Sequence, residues 1–254
     1  MNGKMFSERI FLFDVDGTLT PHRGPMHGEF YKFFLEFARK NKFYLTTGSD
    51  LPKTKEQVPT AILQAASGIF CCAGNQLYTD AGANLVYENT FIPSTDLTDS
   101  LEGCLQASEY QIKTGNHIEH RPGMINFSVV GRNANQAQRY EYSDYDGRVG
   151  ERGKIIELLK QKYCDLDFTI GGQISIDIFP IGNDKSISVR WVKQNEKVGH
   201  LIYMGDRAFP GGNDYAACRE IQSKGWGVWF NVANYKETRA ILKQLALVKN
   251  KDVI

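Results

Sequence analysis

Apolar residues in this chain follow two rhythms, and the change of rhythm divides it. Continuous runs come first. RIFLFD at 9–14 reads as a strand buried on both faces. In the segment 26–40, Phe30, Phe33, Phe34 and Phe37 recur at helical spacing, which predicts a helix with one face in a core. FYLTT at 43–47 is a second strand, followed by a GSD turn into a helix, and GIFCC at 68–72 is a third strand. The same alternation returns late, with a helix near 185–195, strands HLIYMG at 200–205 and WGVWF at 226–230, and a helix from about 235. Unbroken apolar strands alternating with helices predict a parallel sheet covered on both sides.

The middle of the chain alternates instead. IEHRPGMINFSVVG at 118–131 reads as strand, Pro-Gly turn, strand. In GGQISIDIF at 171–179, Ile174, Ile176 and Ile178 take one face while Gln173, Ser175 and Asp177 take the other. Ile125, Phe127 and Val129 oppose Asn126 and Ser128 in the same way. Such strands have one covered and one polar face. The expected architecture is therefore an α/β, Rossmann-like parallel-sheet core, residues 1–90 and 184–254. Inserted into it, at 91–183, is an α+β unit with an antiparallel sheet and helices on one face.

Composition narrows the partners. The chain has 254 residues, 42% of them hydrophobic, enough for a sizeable core. A net charge of +1 gives no global field to recruit nucleic acid or an anionic membrane, so any positive site must be a local cluster. Five cysteines without regular spacing do not read as a disulfide framework, and Cys71 and Cys72 read as buried free thiols. No run is long and apolar enough to span a bilayer and no signal peptide is evident, which makes the cytoplasm the expected location.

Asp14 and Asp16 close the first strand, and two carboxylates so close repel. In open α/β sheets, ligands bind beyond the carboxyl ends of the strands, where Asp14 falls. A hard divalent cation such as Mg²⁺ would remove the repulsion and pair with phosphate. Asp14 then becomes a candidate nucleophile toward phosphorus, and Asp16 a candidate general acid/base. Gly17 permits a sharp turn, and Thr18 offers a hydroxyl. The plainer alternative is an Asp-Gly turn ending a strand. MGDRAFPGGND at 204–214 repeats the logic, with Asp206 at a strand end followed by Asn213 and Asp214. Thr47, Gly48 and Ser49 offer hydroxyl and backbone donors to phosphate, and Lys185 offers a charge. Each piece alone also fits an ordinary turn or a solvated lysine.

These four motifs in this order resemble the haloacid dehalogenase superfamily. The resemblance implies that Asp14 is the phosphorylated nucleophile and Asp16 the acid/base. The cap stretches IEHRPGMINFSVVGRNANQAQR and GGQISIDIFPIGNDK are closely similar to those of eukaryotic-type phosphomannomutases. That resemblance implies sugar-phosphate binding by Arg23, Arg121, Arg132, Arg139, Ser175 and Asp177. It implies Mg²⁺ held by Asp14, Asp206, Asp214 and the backbone carbonyl of Asp16, with Asn213 behind them. It further implies a hexose 1,6-bisphosphate activator, a homodimer through the caps, and a place in GDP-mannose biosynthesis. Thr47 stands where the family usually has Gly, GNQLY at 74–78 replaces its E-N-G-L, and Asn183 replaces a Trp. Spacing alone does not bring the arginines together, since a simple hairpin keeps Arg121 near its turn and Arg132 far from it. A cap-bearing sugar phosphatase and a non-catalytic sugar-phosphate binder are the competing readings. An intact Asp14, Asp16, Lys185 and Asp206 argue against the binder.

Overall fold

The computed structural model describes residues 9–251, so the expected core segments at 1–8 and 252–254 lie outside the described residues. In chain order the first elements are β1 (Arg9–Phe13), α1 (Gly28–Ala38), β2 (Lys42–Thr46), α2 (Leu51–Gln57), α3 (Thr60–Ala65) and β3 (Gly68–Cys71). Next come β4 (Gln76–Thr79), β5 (Asn84–Glu88), α4 (Thr95–Ala107), β6 (Ile118–Arg121), β7 (Met124–Phe127), α5 (Gln136–Val149) and α6 (Glu151–Lys162). The remainder are β8 (Leu166–Gly171), β9 (Ser175–Pro180), α7 (Ser186–Asn195), β10 (His200–Gly205), α8 (Tyr215–Ser223), β11 (Gly227–Asn231) and α9 (Tyr235–Lys251).

Two sheets result. The larger has the order β11-β10-β1-β2-β3-β4-β5. Its first five strands are parallel, as the continuous apolar runs require. One layer beside it holds Phe11, Phe13, Phe30, Phe34 and Phe43, and the opposite layer holds Ile10, Leu12, Tyr44, Val189 and Ile221. Phe30 and Phe34 are buried, while Phe33 and Phe37 are half-buried at the layer's rim. The β4–β5 hairpin extends the sheet with antiparallel strands that the apolar pattern does not announce. β5 is mostly exposed, so its sequence carries no core signal.

The second sheet is antiparallel, order β6-β7-β9-β8, with Asn126 opposite Asp177. Ile125, Phe127, Phe168, Ile176 and Ile178 pack against Leu97, Leu101, Tyr142, Ile155 and Leu159 from α4, α5 and α6. The helices therefore cover one face, and the polar face is left for the catalytic side. One expectation is corrected here. The stretch 171–179 is not one strand, because Gly171 ends β8, a turn follows, and Ser175 begins β9. Gly172 in that turn has φ 48°, which breaks the alternating run.

Candidate active site

β1 and β10 are adjacent and parallel, so their carboxyl ends bring Asp14 and Asp206 side by side. Close approach sets the composition of this corner. A Cβ on Gly17 (φ 81°) would lie 2.5 Å from Asp206 Oδ2, so only glycine fits there. Asp14, Asp206 and Asp214 each present an oxygen within 4.8 Å of the others. Lys185, fully buried, donates to Asp14 Oδ1 at 2.5 Å and to Asp214 Oδ1 at 2.7 Å. Thr18 Oγ1 donates to Asp14 Oδ2 at 3.2 Å. Tyr203 OH also donates to Asp214 Oδ1, and the Arg207 amide donates to its Oδ2.

Three carboxylates against one ammonium leave excess negative charge in a dry place. Burial opposes the Lys185 charge, but Asp14 and Asp214 outweigh it and keep the ammonium protonated. Burial raises the Asp14 carboxyl well above the usual range, against the pull of Lys185. Burial first, and then the charge of Asp214, push Asp206 up to about 7. A divalent cation fits this donor set: hard oxygens, surplus negative charge, and the buried, unpartnered Oδ1 of Asn213 beside it.

The Asp16 carboxylate stands outside that cluster. Its Oδ1 accepts from the Arg23 amide at 2.7 Å and from Gln57 Nε2 at 2.8 Å. Two fixed donors on one oxygen orient the other, Oδ2, toward the cleft, 3.5 Å from Ser49 Oγ. Arg23 reaches its position through a left-handed backbone, φ 55°.

Above these groups lies the polar face of the small sheet. Asp14, Asp16, Arg23, Gly48, Ser49 and Asp206 line one side of a single cleft, and Arg121, Asn126, Arg132, Arg139, Ser175 and Asp177 line the other. Arg121 Nη2 and Arg132 Nε both donate to Glu119 Oε2, the latter at 2.9 Å. Arg132 Nη1 donates to Ser175 Oγ at 2.7 Å, and Asn126 Nδ2 donates to Asp177 Oδ1 at 2.6 Å. Arg139 is buried and donates to the carbonyls of Ala134 and Arg132, both at 2.8 Å. Burial and the nearby Arg23 charge lower it to about 10.

Arg132 is where a simple hairpin would not put it. After β7 the chain turns at Ser128–Gly131, with Gly131 at φ 88°. The Arg132 amide then donates to Asn116 O at 3.0 Å instead of running on past the sheet. That fold-back returns its guanidinium to Glu119 and Ser175.

The family model described as eukaryotic phosphomannomutase matches residues 30–248. The chain belongs to the eukaryotic phosphomannomutase family. It is 34% identical to a phosphomannomutase of Spinacia oleracea, over 94% of this chain and 96% of that protein. The phosphomannomutase of Encephalitozoon cuniculi is equally similar, 34% identical over 94% and 95% of the two chains. Among solved structures, IMP-bound, N-terminally truncated IMP-nucleotidase of Plasmodium falciparum has the same fold. Its TM-score is 0.64 at 15% identity, covering 94% of this chain and 68% of that one.

Two residues expected at the phosphate are not among the residues that line the cleft. Thr47 is buried and its Oγ1 accepts from the Ser49 amide at 3.1 Å, so it shapes the loop rather than lining the cleft. Lys185 lies beneath the carboxylates with no exposure, because Asp14 and Asp214 hold it. Cleft residues absent from the sequence expectation are His22, 3.5 Å from Asp206 Oδ2, and Arg207, 3.9 Å from the same oxygen. Both adjoin predicted residues, Arg23 and Asp206, and that adjacency was their signal. Gln57 and Glu119 gave none, since each reads as an ordinary polar residue of a helix or strand.

Proposed function

We propose that the protein interconverts mannose 1-phosphate and mannose 6-phosphate through a hexose 1,6-bisphosphate and an aspartyl-phosphate on Asp14. The observation that carries this reading is one cleft lined by both an acidic corner and four arginines. In this reading the acidic corner and the Gly48–Ser49 loop take one phosphate, and Arg23, Arg121, Arg132 and Arg139, which line the same cleft, take the other. A phosphatase needs only the first site; a mutase must hold a phosphate at both. Arginine forks suit phosphate oxygens, and the Ser175 hydroxyl and Asp177 carboxylate suit sugar hydroxyls.

An Asp14 oxygen attacks one phosphorus of the bisphosphate, and the bond from that phosphorus to the sugar oxygen breaks. Asp16 gives its proton to the departing oxygen. That primes the enzyme; the freed monophosphate leaves, and mannose 1-phosphate binds with its phosphate at the arginines. Its 6-hydroxyl, deprotonated by Asp16, attacks phosphorus and frees Asp14; the resulting 1,6-bisphosphate turns end for end, and the first step repeated at its other phosphate releases mannose 6-phosphate and renews the aspartyl-phosphate. Asp14, Asp206, Asp214 and the Asp16 carbonyl would hold Mg²⁺, which offsets charge on the carboxylates and the transferring phosphoryl group. Family membership supports extending the reading to a cytoplasmic homodimer joined through the caps that supplies GDP-mannose biosynthesis. No helix among the described residues is long and apolar enough to cross a membrane.

The test is direct. With mannose 1-phosphate, Mg²⁺ and glucose 1,6-bisphosphate, 6-phosphate should accumulate with little free phosphate. Release of free phosphate alone would replace this reading with a phosphatase.

A further inference from the structure

Glu119 is an acid among the cap's arginines, and it touches both halves of the molecule. Its Oε2 accepts from Arg121 Nη2 and Arg132 Nε, and its Oε1 accepts from Lys53 Nζ at 2.7 Å. Lys53 belongs to α2 of the core, where it is also 3.7 Å from the helix-capping Asp50. The same core segment is gripped a second time, since Arg121 Nη1 donates to Gly48 O at 2.7 Å. Arg121 is almost fully buried, and its Nε has no partner. Burial opposes the Glu119 charge, but the neighbouring Arg121 guanidinium and Lys53 ammonium outweigh it and hold the carboxyl below the usual carboxylate range.

We infer that Lys53 and Glu119 form an interdomain clamp that holds the cap shut and, by the same contact, sets Arg121 and Arg132 for the phosphate at the far end of the substrate. The inference rests on the two-phosphate reading of the cleft proposed above and adds to it a residue, Lys53, that lines no part of that cleft. The geometry gives each carboxylate oxygen a separate task. Oε1 takes the core's ammonium, and Oε2 takes one edge of each arginine. Arg121 keeps its unpartnered Nε for an incoming anion. Opening the cap would part Lys53 from Oε1 and Arg121 from Gly48 O together. Glu119 would then hold the arginines without a fixed relation to the core. The distal anion site therefore has its full geometry only when the cap is closed over Gly48 and Ser49. Lys53 is a positioning residue in this account: it acts through Glu119 and touches no substrate.

Two substrates separate this role from a merely structural one. Mannose 1-phosphate, assayed with glucose 1,6-bisphosphate, needs both ends of the cleft; p-nitrophenyl phosphate has no distal anion. Lys53→Met should raise KM for mannose 1-phosphate about fivefold, the range of a part-exposed charge-assisted bond, with p-nitrophenyl phosphate hydrolysis within about twofold of the native enzyme. Lys53→Arg should restore KM. Glu119→Gln should raise it further, because it also releases the arginines. Adding Lys53→Met to Glu119→Gln should change nothing more. Equal losses on both substrates, or additive effects of the two substitutions, would overturn the clamp. Small-angle scattering without substrate keeps the test independent of the proposed reaction. Lys53→Met should enlarge the radius of gyration, and an unchanged radius would overturn the clamp whatever the enzyme turns over. A native enzyme that left mannose 1-phosphate unconverted would instead overturn the proposed function, with scattering still deciding the clamp.

Discussion

Lys185→Met removes the only cation that touches Asp14 and Asp214 among the described residues, and leaves their two carboxylates buried together. Methionine fills a similar volume, so the perturbation is mainly electrostatic. The oxygens of the acidic cluster lie within 4.8 Å of one another; at an effective dielectric constant near 20, like charges at that range repel by about 3–4 kcal/mol. Removing one partner of a buried pair costs about 3–5 kcal/mol in general, so the two routes agree. That is a large share of the roughly 5–15 kcal/mol that holds a domain folded. The deficit has a pH signature. Burial already raises the Asp14 carboxyl, and losing Lys185 raises it further. A carboxyl raised by folding contributes stability while protonated and loses it as pH rises through the raised value. The variant should therefore be weakest at pH 8 and recover on acidification, by about 1.4 kcal/mol per unit for each proton taken up. Urea denaturation in EDTA at pH 5, 6.5 and 8 measures this. A variant as stable as the native protein at pH 8, or a deficit that grows toward pH 5, would refute the reasoning.

Asp14→Asn keeps the shape and removes the attacking charge, so turnover should fall at least about 10³-fold in a folded protein; substantial activity would take Asp14 out of the reaction. Asp206, raised to about 7 by burial and then by Asp214, must lose its proton to ligate, so Mg²⁺ affinity should weaken below pH 7 by up to about tenfold per unit. Calorimetric titration at pH 5.5, 6.5 and 7.5 checks it, and a flat affinity would exclude Asp206 as a ligand. Arg132→Ala removes the bonds to Glu119 and Ser175 and the distal fork, costing mutase turnover about 1.5–3 kcal/mol, roughly 10- to 150-fold. Hydrolysis of p-nitrophenyl phosphate should fall much less, and parallel losses would count against a distal phosphate site.

Periodicity and local chemistry carried much of this protein. A run such as IFLF at 10–13, apolar at every position, reads as a strand covered on both sides, and ISIDIF reads as one covered on a single side. Those constraints are local, because side-chain direction repeats every two residues in a strand whatever surrounds it. The motif Asp14-Val15-Asp16-Gly17 was equally legible, since repulsion and a sharp turn are properties of neighbours in the chain. Convergence is not such a property. Lys185 is 171 positions from Asp14, and only the packing of α7 beneath the sheet's carboxyl edge makes it a buried counter-ion to that carboxylate. Arg132 meets Glu119 because the turn at Ser128–Gly131 folds the chain back, a backbone path that alternation does not encode. Thr47 sits in a predicted phosphate loop, and its Oγ1 accepts from the Ser49 amide, a contact made by the loop's own bend. β4 and β5 pair with little apolar signal because an edge hairpin is held by backbone hydrogen bonds, which no side-chain pattern records. Sequence thus determined which faces are apolar and which groups could react. Tertiary structure decided which of those groups meet, because meeting depends on chain paths summed over many residues.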